Sequence, residues 1–347
     1  MGFNTTGSQN IAIGYQSLQQ NTTGTLNVAV GTTALTNNTT GAQNTAIGQL
    51  ALNLNTTGLQ NTALGNATLQ NNTTGIGNTA IGHASLVANT TANYNTAIGQ
   101  DSLRSNTTGN GNVAVGYSSQ FTNIIGTANT AIGYSSLLLN TATGNTAIGY
   151  FSLANNTTAG QNTAVGNSAL SLNTTGANNS AVGSGALSLN TTGIQNTAIG
   201  SSSLGANITG SYNASFGVGS LANNLGSYNV GFGHSSLNAV TTGTNNTAIG
   251  YASGSAITTG SNNTIIGAYG GTTTLANNIV LSDGAGNVRL FSDANGLIGI
   301  NQAVGSTIGG QLDIHSTQTY ALVLNGLSTS NAYTAFSNAS VGKWRIG

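Results

Sequence analysis

A five-residue phrase, NTAIG or a close variant, returns along this chain at intervals of seventeen residues. Counting from Asn10, later units begin at Asn27, Asn44, Asn61, Asn78, Asn95, Asn112, Asn129, Asn145, Asn162, Asn179, Asn196, Asn213, Asn229, Asn246 and Asn263. The consensus is NTAIGxxSLxxNTTGxx, and only the intervals from Asn129 and from Asn213 shorten to sixteen. A repeat this strict confines the chain to architectures in which each unit packs mainly on its neighbours. Seventeen residues are too few for a leucine-rich, ankyrin or helical-pair unit. They suit one turn of a parallel β-solenoid, or β-roll, with two short strands, at TAI and SL, and two tight corners.

The columns of the repeat fill in that picture. The third position is nearly always Ala, the fourth is always apolar, the fifth is Gly in every unit, and the ninth is Leu in thirteen of sixteen. Recurrent Gly and the Asn-Thr-Thr-Gly phrase disfavour helix. Stacked turns place identical residues above one another about 4.8 Å apart, so sixteen turns make a rod of roughly 75 Å. The expected core ladder is Ile13, Leu18, Ile47, Leu52, Ile132 and Leu137. Two apolar side chains per turn make a thin core, which points to an oligomer, with the small Ala column as the contact between chains. Asn4, Asn21, Asn38, Asn55 and Asn72 each begin an Asn-x-Thr glycosylation acceptor. Asn also bonds its own backbone at turns and stacks into amide ladders, and that structural role is preferred here. Both sixteen-residue units keep NTAIG and SL and lose their residue in the second corner, where a strand register is not disturbed. Phe216 and Phe232 take the fourth position in adjacent units, beside Ser215 and Gly231. A locally repacked core is expected there.

Composition narrows function. Only eight residues are charged: Asp101, Arg104, Asp283, Arg289, Asp293, Asp313, Lys343 and Arg345. Net charge is zero, which leaves no basic face for nucleic acid. Cys is absent, so there is neither a disulfide framework nor a thiolate metal site. No apolar run reaches the length of a membrane span, and no membrane insertion is expected. The first residues carry no secretion-signal pattern. Catalysis has no constellation to support it. His83, His234 and His315 are far apart, Glu is absent, and no Asp pair is placed for acid–base work. Asp101 and Arg104 share one turn and read as a solvated pair. No enzyme activity and no cofactor or metal is expected. The one surface feature with binding potential is aromatic. Tyr117, Tyr134 and Tyr150 fill the same slot on successive turns, and an aromatic plane with a polar tip suits a sugar. The alternative is a ladder that stiffens the rod.

After residue 267 the pattern changes. NNIVLSDGAGNVRLFSDANGLIGI reads as a β-meander with Asp-Gly and Asn-Gly type turns. QLDIHS, YALVLNG, AYTAFSN and GKWRIG give further strand-like runs. The expected organisation is a repeat shaft over 1–267, a meander over 268–301 and a β-rich module over 302–347, truncated or cleaved at its end.

The NTAIGxxSLxxNTTG array resembles repeats of phage tail-fibre proteins and related bacterial fibre proteins. It is also similar to the head repeats of trimeric autotransporter adhesins, which carry a comparable N-x-x-AIG core in shorter units. The segment from NNIVLSDGAGNVRLF to GKWRIG is similar to the distal part of tail fibres, where a self-cleaving chaperone often follows. This chain shows neither that chaperone with its Ser-Asp cleavage motif nor an autotransporter's stalk and anchor. The resemblance implies an extracellular homotrimer that attaches to a host-surface glycan or protein, located on the virion as a tail fibre. A bacterial adhesin or filament subunit at the cell surface is the alternative. The Thr column at the second position raises an ice-binding solenoid as a third reading, interrupted by Ile11, Val28, Val113, Ser180, Ala214 and Val230.

Overall fold

Each unit contributes one three-residue strand, and the rest of it runs as turns that stack on the turns of the next unit. The computed structural model describes residues 2–301, 303–304 and the strands Leu312–Ile314, Ala335–Ser337 and Lys343–Arg345. Strands β1 (Ile11–Ile13), β2 (Val28–Val30) and β3 (Thr45–Ile47) open a series that reaches β16 (Thr264–Ile266). Pairing is parallel and in register, so that Ile11 meets Val28, Ala12 meets Ala29 and Ile13 meets Val30. β16 pairs in the same sense with β17 (Ile279–Ser282). Antiparallel pairing follows, from β17 to β18 (Val288–Ser292) and on to β19 (Ile298–Ile300). β19 then pairs in parallel with β20 (Leu312–Ile314), and β21 (Ala335–Ser337) pairs antiparallel with β22 (Lys343–Arg345). The chain is thus an all-β parallel solenoid of seventeen-residue turns with antiparallel strands at its C-terminal end. The strand expected at YALVLNG, and His315, lie outside the described residues.

The second strand expected at SL is absent. Leu18, Leu35 and Leu52 sit at φ of 48°, 51° and 50°, in the left-handed region. That conformation costs an L-residue roughly 1–2 kcal/mol, yet it recurs wherever the ninth position is Leu. Burial and stacking hold it in place: Leu18 is fully buried, and its N–H donates to the Ala34 carbonyl of the next rung at 3.0 Å. The ladder of main-chain bonds therefore continues around the turn without strand geometry. At the corner itself Gly is obligatory for two reasons. Gly14 has φ of 126°, and a Cβ there would lie 2.6 Å from the Gly31 carbonyl oxygen.

The expected core ladder is half right. Leu18, Leu52 and Leu137 point inward and are fully buried. Ile13, Ile47 and Ile132 point outward, at 61%, 38% and 39% exposure, while Ala46 and Ala131 beside them are fully buried. Alternation along a strand puts the second and fourth positions on one face and the third on the other. The narrow interior decides which face is which. At Gly231, which holds the third position, a Cβ would lie 2.9 Å from Ser236 Oγ and 3.2 Å from Leu221 Cγ. Where Leu fills the ninth column the third position holds a small residue, and Ile265 enters only beside Gly254, where that Leu is gone. The Ala column is therefore the inside of the roll and not a contact between chains. Phe216 and Phe232 follow the same rule: they face outward, 5.5 Å apart, and it is Ser215 and Gly231 that turn inward. No core repacking around Phe is needed. Ser215 instead joins a buried hydroxyl chain, accepting from Ser203 at 2.6 Å and donating to the Ser220 carbonyl at 2.8 Å.

Much of the interior is amide. Asn27 of the first column donates to the Gly41 carbonyl at 2.8 Å, and its Oδ1 accepts the Asn44 main-chain N–H at 3.0 Å. In the twelfth column Asn38 donates to Asn21 Oδ1 at 2.8 Å and to the Gly41 carbonyl, three residues on, at 2.9 Å. Asn21, Asn38, Asn55 and Asn72 are fully buried, so these acceptor motifs spend their amides inside the folded rod.

These bonds show how a unit can lose a residue. In the short unit Asn140 donates to the carbonyl only two residues on, Ala142, at 2.9 Å. Its Oδ1 then accepts Asn145 Nδ2 from the first column at 3.1 Å, joining the two ladders. Asn224 repeats the device, donating to Gly226 at 2.8 Å and accepting from Asn229 at 2.9 Å. One corner residue disappears and the strand register on either side is untouched.

Candidate functional site

Five rungs into the solenoid the columns begin to depart from consensus together. Asp101 and Arg104 occupy the seventh and tenth positions of one rung. On the next, Gln120 replaces the core Leu, Phe121 follows it, and Ile124 and Ile125 replace the Thr pair. Buried apolar side chains form one cluster from Leu18 to Ala114 and another from Ala131 to Phe291, and Gln120 stands between them. Its side chain donates to the Val113 carbonyl at 2.9 Å and accepts from Asn123 at 3.5 Å. Asn123 is thereby drawn from the amide ladder, and Asn106 Oδ1 is left buried without a partner.

On the surface above this rung, Tyr117, Tyr134 and Tyr150 stack in the order their spacing predicts. Ring centroids are 5.2 and 5.4 Å apart, with planes 15° and 19° from parallel. Phe151 sets its edge on Tyr150 at 4.5 Å and tilts against Tyr134 at 5.6 Å. Stacking has a chemical consequence. Both faces of Tyr134 are covered by its neighbours, so the ladder as a whole offers ring edges and hydroxyl tips rather than a row of open planes. Tyr117 and Tyr150, at the two ends, each stack on one Tyr only, and Gln100 holds the slot of Tyr117 on the preceding rung.

That preceding rung carries the ion pair. Arg104 Nη1 donates to Asp101 Oδ1 at 2.6 Å, and Gln100 Nε2 donates to Asp101 Oδ2 at 3.2 Å. The pair is not simply solvated, because the Asp101 side chain is only 10% exposed while that of Arg104 is 46% exposed. The guanidinium carbon lies 5.7 Å from the centre of the Phe121 ring, over its face. Asp101, Arg104, Tyr117, Phe121, Thr122 and Leu138 line an open cleft of ≈ 510 Å³.

The other singled-out groups stay dispersed. His83 and His234 are exposed on distant rungs, and His234 stacks on Tyr251 at 5.6 Å. Among the described residues no three His, Asp, Glu or Cys side chains gather as metal ligands. A second ladder, Tyr212 on Tyr228 at 5.0 Å and 4°, escaped the sequence reading. Its signal was present: both residues close their units, immediately before the next unit's Asn. Phe151 stands in a column that is otherwise mostly polar or small, which gives no aromatic period to follow.

The fold defines this chain as a β-solenoid repeat protein. No protein-family model matches it, and no curated protein matches it.

Proposed function

We propose that this chain is the shaft of a homotrimeric attachment fibre of the phage tail-fibre type, without catalytic activity, carried on the virion. The observation that carries this reading is the outward Ile column. Every rung from Ile13 to Ile266 places an apolar fourth residue at the surface, half-exposed or exposed. With the second-position residues it forms an uncharged face over sixteen rungs, roughly 75 Å long. A monomer rarely exposes a continuous apolar patch of that extent. Further copies of the same chain are its natural cover, because an identical rod has the same rung spacing and the same lack of charge. The resemblance of the repeat to tail-fibre and autotransporter head repeats supports three copies, and supports a host-surface glycan or protein as the target. A bacterial surface adhesin or filament subunit would use the same face in the same way.

Charge placed on that face tests the reading. Ile132→Asp with Ile148→Asp should leave the β-rich circular dichroism intact, since both side chains already face solvent in one chain. The mass by light scattering should fall from three chains to one. A wild-type monomer, or an unchanged mass in the double variant, refutes assembly through this column. The Thr residues of the second position share the face, which keeps ice binding as a second reading. Thermal hysteresis in the wild-type protein would favour it.

A further inference from the structure

We infer that the cleft beside Arg104 binds a saccharide carrying a carboxylate. This deepens the attachment reading and rests on it, by naming what the shaft would hold.

Position is the first argument. Through the first 280 residues only Asp101 and Arg104 are charged. They share a cleft with Tyr117, the first ring of the Tyr ladder, one rung before the core Leu is lost to Gln120. An array otherwise built from near-identical turns changes several columns at once here, and the changes meet in one cleft.

Chemistry is the second. The Asp101 carboxylate is turned inward and accepts from both Arg104 and Gln100. The guanidinium is turned outward and rests on Phe121. Solvent therefore meets a cation whose counter-charge is screened from view. Guanidinium carries five N–H donors in a planar fork that matches a carboxylate in bidentate fashion. Arg104 uses that fork for one described hydrogen bond, to Asp101. Stacking on an aromatic holds the fork in orientation.

Tyr117 supplies the complementary apolar element. Tyr134 stacks on one of its faces, and Tyr117 lines the cleft together with Asp101 and Arg104. The C–H face of a pyranose can lie on that plane while its carboxylate reaches Arg104. A hydroxyl of the same ring can reach Thr122, whose side chain is half-buried in the cleft wall. A single cation in a neutral rod is a poor match for a phosphate polymer, which needs several. A peptide strand would need free main-chain groups. Here they are committed to neighbouring rungs: Ser105 N–H to Phe121, Ser118 to Gln100, Gln120 to Ser136 and Thr122 to Leu138. Recognition through side chains alone suits a sugar.

The test is calorimetric titration of the full chain with oligomers of glucuronate and of galacturonate, and with the same oligomers after carboxyl reduction. At least one acidic oligomer should bind, and its reduced form should bind about tenfold more weakly or worse. Arg104→Gln should lose about tenfold or more in affinity, Arg104→Lys should fall between, and Tyr117→Ala should weaken both acidic and reduced forms. Tyr15→Ala, in the same slot on a distant rung, should change nothing. Tyr117 is exposed, so its variant tests the cleft even if Arg104→Gln disturbs Asp101. Absence of binding to either acid overturns the inference, as does equal binding of acidic and reduced oligomers. So does equally tight binding of poly-glutamate displaced by the same oligomers. Light scattering on the wild-type chain reads assembly separately, so a failed cleft and a failed fibre give different results.

Discussion

The two ends of the solenoid fill the same interior with different atoms. From Asn21 to Asn224 the twelfth column is Asn, the third is Ala or Ser, and the ninth is Leu on every rung but that of Gln120. Beyond it the twelfth column becomes Val240 and Ile257, the third becomes Ile265 and Val280 on the last rungs, and the ninth becomes Gly254 and Gly271. These changes compensate one another. A Cβ on Gly254 would lie 2.7 Å from Leu237 Cδ2 and 3.5 Å from both Ile257 Cδ1 and Ile265 Cδ1. A Cβ on Gly271 would lie 2.8 Å from Ile257 Cγ1. The volume that Leu gives up in one column is taken by branched side chains from the two facing it. A long run of equal rungs is held by amides that bond from rung to rung. The last rungs give up that ladder for an apolar plug, which continues into Phe291 of the antiparallel strands.

Restoring the consensus at the plug should therefore be harmful. Gly254→Leu recovers the residue that most rungs carry, and its φ of 63° is one that Leu tolerates elsewhere in this chain. The penalty comes from overpacking against Ile257, Ile265 and Leu237. Forcing such volume into a filled core costs about 1–3 kcal/mol, and the upper end is expected because Leu brings four carbons. Adding Ile257→Asn should recover most of the loss in denaturant midpoint by restoring both columns together. If the single variant is as stable as wild type, the plug has room and the compensation is false.

The amide ladder gives a smaller and more local contrast. Asn55→Val removes the only donor to Asn38 Oδ1 among the described bonds, since Asn55 Nδ2 reaches it at 2.9 Å. An orphaned buried acceptor costs about 1–3 kcal/mol. Asn224→Val should cost much less. Gly226, to which Asn224 donates, also accepts from Asn213 at 3.0 Å, and Asn229 also donates to Gly243 at 2.8 Å. Val already stands in this column one rung later. Equal losses in chemical denaturation would show that the ladder does not act through orphaned oxygens.

The same contrast explains what the sequence disclosed. Period, strand position, the inward Leu column and the corner that absorbs a missing residue all follow from spacing, and spacing is written in the chain. The choice between Ala and Ile as the inward residue is not. A three-residue strand alternates about its middle, so the pattern is symmetric, and only the width of the interior breaks the tie. Left-handed Leu18 runs against local propensity, because stacking on Ala34 is a tertiary constraint. The cleft was legible in part. Tyr117, Tyr134 and Tyr150 share a column, whereas Asp101, Phe121 and Leu138 come together only when rungs are overlaid and different columns read side by side. The stacking that brought the Tyr together also covers the planes that made them attractive.

The smallest expected effect separates the rungs from the strands that follow them. The turn between β17 and β18 is organised by Asp283. Its Oδ1 accepts the main-chain N–H groups of Asn287 at 2.9 Å and Ala285 at 3.0 Å, and Arg289 donates to Oδ2 at 2.6 Å. The side-chain amide of Asn287, then its main-chain N–H and Arg289, pull the carboxyl down from 3.8 to about 2. The next turn repeats the design: N–H groups of Leu297 and Asn295 lower Asp293. A carboxyl whose pKa is depressed by folding contributes stability above its unfolded pKa and loses it as pH falls through the folded value. The window here runs from about pH 4 down to about pH 2. Asn amides and threonines do not titrate in it, so the rungs from Asn10 to Ser85 should keep their hydrogen-exchange protection, corrected for intrinsic rate, when the pH is lowered from 5 to 2. Amides of Ala285, Asn287 and Leu297 should lose theirs over the same range, and Asp283→Asn should remove most of the pH dependence at the first turn while leaving the second unchanged. Simultaneous loss in the rungs and the turns would mean that the solenoid and its antiparallel end open as one unit.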